Sequence, residues 1–153
     1  MTQTFIPDVI SSFSGDYERL SNFYPVLIHF EGMNFPSVEH AYVAAKTKDR
    51  MKRYMIAMLD PDKAGEAKRI GRTFILREDW EMIKLSVMKR CLIQKFLYDE
   101  FRSFLLSTGE SNLMEGNYWH DNYWGNCLCR DCAEIQGQNQ LGKMLMEVRK
   151  KIS

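Results

Sequence analysis

Glu39 and Lys46 stand seven residues apart in Phe35-Pro36-Ser37-Val38-Glu39-His40-Ala41-Tyr42-Val43-Ala44-Ala45-Lys46. A carboxyl group and an amine held on one surface can divide the work of breaking a bond at a sugar carbon. The acid protonates the departing group, and the amine attacks the carbon. Ser37 is a good N-cap, Pro36 ends the preceding strand, and the alanines with Val38 and Val43 offer a packing face. These features predict a helix from Ser37 to about Lys48. Seven residues at about 100° each return nearly to the starting direction, so the two side chains share a face, roughly 10 Å apart along the axis. The same spacing is also found on helices that simply face water. His40 reads as a core or surface residue rather than as a base.

A second unusual stretch is Glu115-Gly116-Asn117-Tyr118-Trp119-His120-Asp121-Asn122-Tyr123-Trp124-Gly125. Its aromatic and polar residues follow neither helical nor alternating order, and a core strand could not satisfy so many polar groups. A loop that stacks a flat ring and hydrogen-bonds the ring's edges would look like this, which makes Trp119 and Gly125 candidate substrate-binding residues. So would an aromatic-rich loop that plugs the core. Gly137-Gln138-Asn139-Gln140-Leu141-Gly142 then leads into a helix, where free backbone N–H groups could receive a phosphate or serve only as caps.

Cys127, Cys129 and Cys132 form Cys-x-Cys-x-x-Cys. Thiolates at this spacing can share a soft metal, but a closed zinc site needs a fourth ligand, which His120 or Cys91 supplies only if the fold brings it near. Reduced loop thiols are the simpler reading, and no metal is assigned from sequence.

The elements that must position these groups follow from the rest of the chain. Phe13 to Pro25 reads as loop. Val26 to Phe30 and Met33 to Phe35 read as a hairpin turning at Glu31-Gly32. Asp60-Pro61 opens a helix that Gly71 closes as its C′ residue. Arg77 to Tyr98 carries the longest apolar pattern and predicts a central, largely buried helix. Phe101 to Leu106 prolongs or restarts it, Asn112 to Glu115 reads as a short strand, and Gln138 to Lys151 as a last amphipathic helix. The expected class is α+β and mostly α-helical, a single domain over 1–153 with a few short strands.

Composition bounds the function. The chain has 153 residues, 45% hydrophobic and 27% charged, which suits an ordinary globular domain. Twenty-one basic against twenty acidic residues give a formal charge of +1, which argues against a generally cationic nucleic-acid binder but leaves room for a local patch. No apolar run approaches the roughly 20 residues that span a bilayer. The N-terminal stretch lacks the basic and apolar regions of a signal peptide, so reduced cysteines and a cytoplasmic location are expected.

In their order along the chain, several short motifs resemble the NADAR family, also known through the YbiA-like proteins. They are Leu20-Ser21-Asn22-Phe23-Tyr24, Pro36-Ser37-Val38-Glu39-His40 with Lys46, Leu76-Arg77-Glu78-Asp79-Trp80, and Lys95-Phe96. They continue through Thr108-Gly109 with Leu113-Met114-Glu115, Asp121 with Trp124-Gly125, and Gly137-x-Asn139-x-Leu141-Gly142-Lys143-x-Leu145-Met146-x-x-Arg149. The departure is the Cys127–Cys132 segment, where many members carry a Gly/Asp-rich turn. The resemblance implies a compact α+β domain that hydrolyses N-glycosidic bonds without a cofactor. Its relatives act on phosphoribosyl intermediates of riboflavin biosynthesis or remove ADP-ribose from guanine in nucleic acid, the latter through a lysine Schiff base. By motif position Lys46 is that lysine, Glu39 the acid–base carboxylate and Trp80 the stacking ring. Asp121, Trp124 and Asn139 match the pocket wall, and Arg19, Ser21 and Asn22 a polar or phosphate-facing lip.

The implied partner is therefore an ADP-ribosyl or phosphoribosyl substrate, extending to ADP-ribosylated nucleic acid, with no membrane and a monomer as the expected state. De-ADP-ribosylation of guanine is the leading expectation. The riboflavin-pathway glycosidase and a non-catalytic module that binds NAD or ADP-ribose stand beside it.

Overall fold

The computed structural model describes residues 5–153. The first four residues, part of the N-terminal stretch read above for a signal peptide, lie outside the described residues. The chain is α+β and mostly helical, as its patterning predicts. It gathers into two compact units, one of Asn22–Tyr98 and the other of the segment up to Ser21 together with Asp99–Ser153.

In the Asn22–Tyr98 unit, the strands β2 (Ile28–Phe30) and β3 (Met33–Phe35) form an antiparallel hairpin. Its two turn residues, Glu31 and Gly32, both have positive φ (44° and 86°), the conformation that matches the twist of the flanking strands. Helix α1 (Val38–Ala45) follows and is buried at every position. It packs against α2 (Arg50–Ala57), α3 (Ala64–Gly71), α4 (Trp80–Leu97) and the hairpin. The central helix is thus α1. The long α4 buries Trp80, Val87, Met88, Cys91, Leu92, Lys95 and Phe96, but its Met82, Leu85, Ile93 and Leu97 are exposed. The small alanines of α1 explain the difference, because they let neighbours approach on all sides. A Cβ on Gly71 would sit 2.7 Å from Val43 Cγ1, so this glycine is there for close packing at the end of α3 and is not the left-handed C′ residue expected. Gln94 docks α4 on the hairpin edge by donating to the His29 carbonyl at 2.6 Å and accepting from its N–H at 2.8 Å.

Several elements were not read from sequence, the short strands Val9–Ile10, Gly116–Asn117 and Asn126–Cys127 among them. Residues Gly15–Leu20 form a 3-10 helix instead of loop, and α2 lies where no element was expected. Helix α1 also stops at Ala45, with Lys46 as its C-cap, short of the Lys48 end predicted.

In the other unit, β1 (Val9–Ile10) pairs in parallel with β4 (Asn112–Leu113), and β5 (Gly116–Asn117) with β6 (Asn126–Cys127). Helix α6 (Gln140–Ile152) packs on α5 (Asp99–Ser107) and on β4. Arg149 donates to the Thr108 hydroxyl at 2.9 Å, so the Thr108-Gly109 and Arg149 motifs meet to tie α6 to the end of α5. Among the described residues no helix is long and apolar enough to cross a membrane.

Candidate active site

The first turn of α1 is fixed from two directions. The Ser37 hydroxyl oxygen accepts from the His40 N–H at 3.1 Å, and the Asn22 carbonyl accepts from the Glu39 N–H at 3.0 Å. His40 is a strut. Its Nε2 lies 3.2 Å from the Asp60 carbonyl, which can only accept, so Nε2 carries the proton and Nδ1 accepts from the Ser37 hydroxyl at 2.6 Å. Burial lowers the pKa of this imidazole, the Asp60 carbonyl opposes that, and the net result favours the neutral ring. The sequence reading of His40 as a residue of the fold rather than a base agrees with this geometry.

Held in that turn, Glu39 is buried. Lys46, two turns on, is half-buried with its Nζ 5.5 Å from the Tyr42 ring centroid. Three influences lower the pKa of its amine: burial first, then the charges of Lys68 and Arg72. Glu39 pulls the other way, and the amine ends below its ordinary value. The Tyr42 ring in turn meets Trp80, centroids 5.1 Å apart and planes inclined at 55°. Trp80 is brought there by the chain before α4. The Arg77 N–H donates to the Lys46 carbonyl at 2.9 Å, and the Arg77 guanidinium holds Asp79 at 2.6 and 3.1 Å. The Leu76–Trp80 motif is therefore a clamp across the C-terminus of α1. Asn22 completes the group. It is buried, and among the described residues its Nδ2 reaches only the weak acceptor Met88 Sδ at 3.5 Å and its Oδ1 has no hydrogen-bond partner. A buried acceptor left unmatched is rare and is a place for a ligand donor. Asn22, Glu39, Lys46 and Trp80 thus lie in one unit, with Tyr42, whose buried ring touches Lys46 and Trp80, as a member that sequence reasoning missed. Its position one turn from both Glu39 and Lys46 was the available signal.

The remaining candidates lie in the other unit. Arg19 pairs with Glu100 at 3.1 Å and lies over the Phe104 ring, and the Ser21 N–H donates to the Glu18 carbonyl. Asp121 folds its own loop, its Oδ1 accepting from the Tyr123 and Trp124 N–H groups at 3.1 and 2.9 Å. Asn139, in the left-handed conformation with φ 49°, gives both ends of its amide to the chain, accepting from the Glu115 N–H and donating to the Leu113 carbonyl. Buried Asn117, also missed, is the hub of this loop. It donates to the Glu115 carboxylate and the Asp121 carbonyl and accepts from the Trp119 and Asp121 N–H groups. The amides of the 115–125 loop are thus occupied in building the loop.

The reading of 137–142 as a phosphate cradle is corrected here. The N–H groups of Gly137 to Leu141 donate to Asn126 Oδ1 and to the carbonyls of Asn122, Gly125, Tyr123 and Trp124, respectively. Gly125 has no room for a Cβ against Glu115, so its role is close packing. Trp119 remains half-exposed, and Trp124 is half-buried with its ring edge-on to Tyr123. Of the two fourth partners weighed for the cysteines, the fold selects His120, whose ligand atom and those of Cys127, Cys129 and Cys132 all lie within 4.8 Å of one another.

Comparison with known proteins gives a consistent picture. The sequence model of the NADAR domain matches residues 11–153. An N-glycosidase of Escherichia coli, YbiA, is 33% identical over 155 residues, covering 99% of this chain and 93% of that protein. Its NMR structure superposes with a TM-score of 0.79 over 98% of this chain and 88% of that one. An N-glycosidase of Nostoc punctiforme is 36% identical over 89% of this chain and 86% of its own length. A riboflavin biosynthesis protein of Vibrio vulnificus is 35% identical over 87% of this chain but only 35% of its own.

Proposed function

The chain belongs to the NADAR family, and on that premise we propose that it is a hydrolase of N-glycosidic bonds between ribose C1 and a base, with Glu39 and Lys46 as its catalytic residues. The observation that carries the reading is a half-buried amine, weakened as a base by burial and by Lys68 and Arg72, two helical turns from a buried carboxyl group. An amine attacks carbon only as the neutral base, and each of those influences enlarges the neutral fraction near pH 7.

The proposed steps balance. Lys46 Nζ adds to ribose C1 as the C1–N bond breaks, and the departing nitrogen takes a proton from Glu39. The ring oxygen then leaves C1 as a hydroxyl, and C1=N forms as an imine to Lys46. Water adds to C1, the lysine amine departs, and the proton returns to the carboxylate. Positive charge on the sugar during the first step is met by the Glu39 carboxylate as it forms. Trp80, buried against Tyr42, is assigned to stacking on a flat base, and Asn22 Oδ1 to accepting from a ribose hydroxyl. Trp119 and Trp124 are assigned to further stacking on substrate, and Arg19 and Ser21 to its phosphates. Asp121, Gly125 and Asn139 act in recognition by holding their loop.

The leading substrate is guanine carrying ADP-ribose in nucleic acid. A second reading, favoured by the riboflavin biosynthesis name of the Vibrio relative, is a phosphoribosyl intermediate of that pathway. Incubation with ADP-ribosylated DNA and, separately, with a phosphoribosyl aminouracil distinguishes them. Free ADP-ribose in the first arm supports the leading reading, and base release in the second arm alone replaces it with the other. Tight binding without release in either arm would make the chain a binding module and overturn the proposal.

A further inference from the structure

The 120–132 segment carries a second constellation that glycoside chemistry does not use. His120 Nδ1 lies 3.3 Å from Cys132 Sγ, 3.4 Å from Cys129 Sγ and 3.9 Å from Cys127 Sγ. Hydrogen bonding does not account for three such contacts, because one ring nitrogen has a single proton or a single lone pair to offer. Coordination does. With Zn–S near 2.3 Å and Zn–N near 2.0–2.1 Å, a tetrahedral centre places nitrogen about 3.5–3.6 Å from each sulfur and the sulfurs about 3.8 Å apart. The three observed separations bracket the first value, and all four ligand atoms lie within 4.8 Å of one another.

From this geometry we infer that His120, Cys127, Cys129 and Cys132 form a structural zinc site. Three sulfurs and one imidazole in a tetrahedron are the donor set that selects zinc over the harder divalent ions. Binding releases one proton from each thiol and leaves the imidazole neutral, so the filled site carries a charge of −1. The surrounding groups suit it. The Cys129 N–H points at Cys127 Sγ at 3.5 Å and the Asn122 amide at Cys132 Sγ at 3.6 Å, each a donor to a thiolate. Asn122 Oδ1 also accepts from the Cys127 N–H at 2.9 Å, so one side chain braces two ligands.

His120 itself sits at φ 67°, a left-handed conformation that costs a non-glycine residue about 1 kcal/mol or more and here aims its ring at the sulfurs. Cys127 is the last residue of β6, and the 3-10 turn Arg130–Cys132 returns Cys132 to it. All four coordination positions are taken by protein, which makes the site closed and structural. Its ligands enclose residues 121–126, so the ion would pin the loop that carries Asp121 and Trp124.

The test uses the full chain, purified reduced and without chelator. Elemental analysis should find about one zinc per chain. Titration of the reduced, metal-stripped chain with Co2+ should give the thiolate charge-transfer band and the intense visible bands of a tetrahedral centre. Cys129→Ser and His120→Ala should each lose the metal, while Cys91→Ala, which alters the remaining cysteine, should keep it. The Co2+ spectrum needs no variant, so misfolding of a mutant cannot blur the result. Zinc below a tenth of an equivalent together with a Co2+ spectrum of aqueous octahedral form would overturn the inference, as would metal content unchanged in Cys129→Ser.

Discussion

Lys46 has an unusual set of neighbours for a surface lysine, because burial and two cations act on its amine together while a single carboxylate opposes them. The direction of that shift makes a prediction about rate. The neutral amine gains population as pH rises through the lowered pKa, so the ascending limb of kcat/KM should lie below the pH where an ordinary lysine titrates. Replacing Lys68 and Arg72 together by methionine removes two influences that lower the pKa and leaves Glu39, which raises it. The limb should therefore move to higher pH. A pH–rate profile unchanged in that double variant would separate Lys46 from the rate. Lys46→Ala should remove turnover, and Glu39→Gln should lower kcat by about 10²–10⁴-fold, the usual worth of a positioned acid. Circular dichroism of both should stay native.

The elements that set these residues obey packing more than propensity. Helix α1 owes its place to alanines and to Gly71, whose missing side chain leaves room for Val43. Gly71→Ala should cost about 1–3 kcal/mol by forcing the two helices apart. Ser37→Ala should cost about 2–3 kcal/mol, because it removes the helix cap and leaves the Nδ1 of buried His40 without its donor. Urea denaturation measures both, and a loss under 0.5 kcal/mol in either, on the order of a neutral surface change, would contradict the packing argument.

At this scale the chain was partly legible. The hairpin, α1, α4 and α6 announce themselves through turn residues, a cap and apolar spacing. Helix α2 does not, since it buries only Arg53 and Ile56, although Asp49 was a usable signal: it accepts from the Met51 and Lys52 N–H groups. The roles of Asn117 and Asn139 were out of reach. An amide that builds a loop looks in sequence like one that binds a ligand, and Asn139 bonds to chain 24 and 26 residues away. The choice of His120 over Cys91 beside the clustered cysteines likewise needed coordinates.

For the molecule as a whole, a formal charge of +1 limits how a nucleic-acid substrate is held. Proteins that neutralise 6–10 phosphates lose about 10³–10⁵ in affinity between 50 and 200 mM salt. On the proposed reading recognition would rest on a base, a ribose and their attached phosphates, so KM for ADP-ribosylated DNA should rise by less than about tenfold over that range. A steeper dependence would reveal a basic surface that tracks the strand.

The central claim is a covalent bond between Lys46 and the substrate sugar, and reduction during turnover tests it most directly. Borohydride added to enzyme and ADP-ribosylated guanine substrate should reduce the imine, and peptide mass spectrometry should find the ADP-ribosyl adduct on Lys46, absent from Lys46→Ala. Active enzyme that yields no adduct, or an adduct on another residue, would contradict the account.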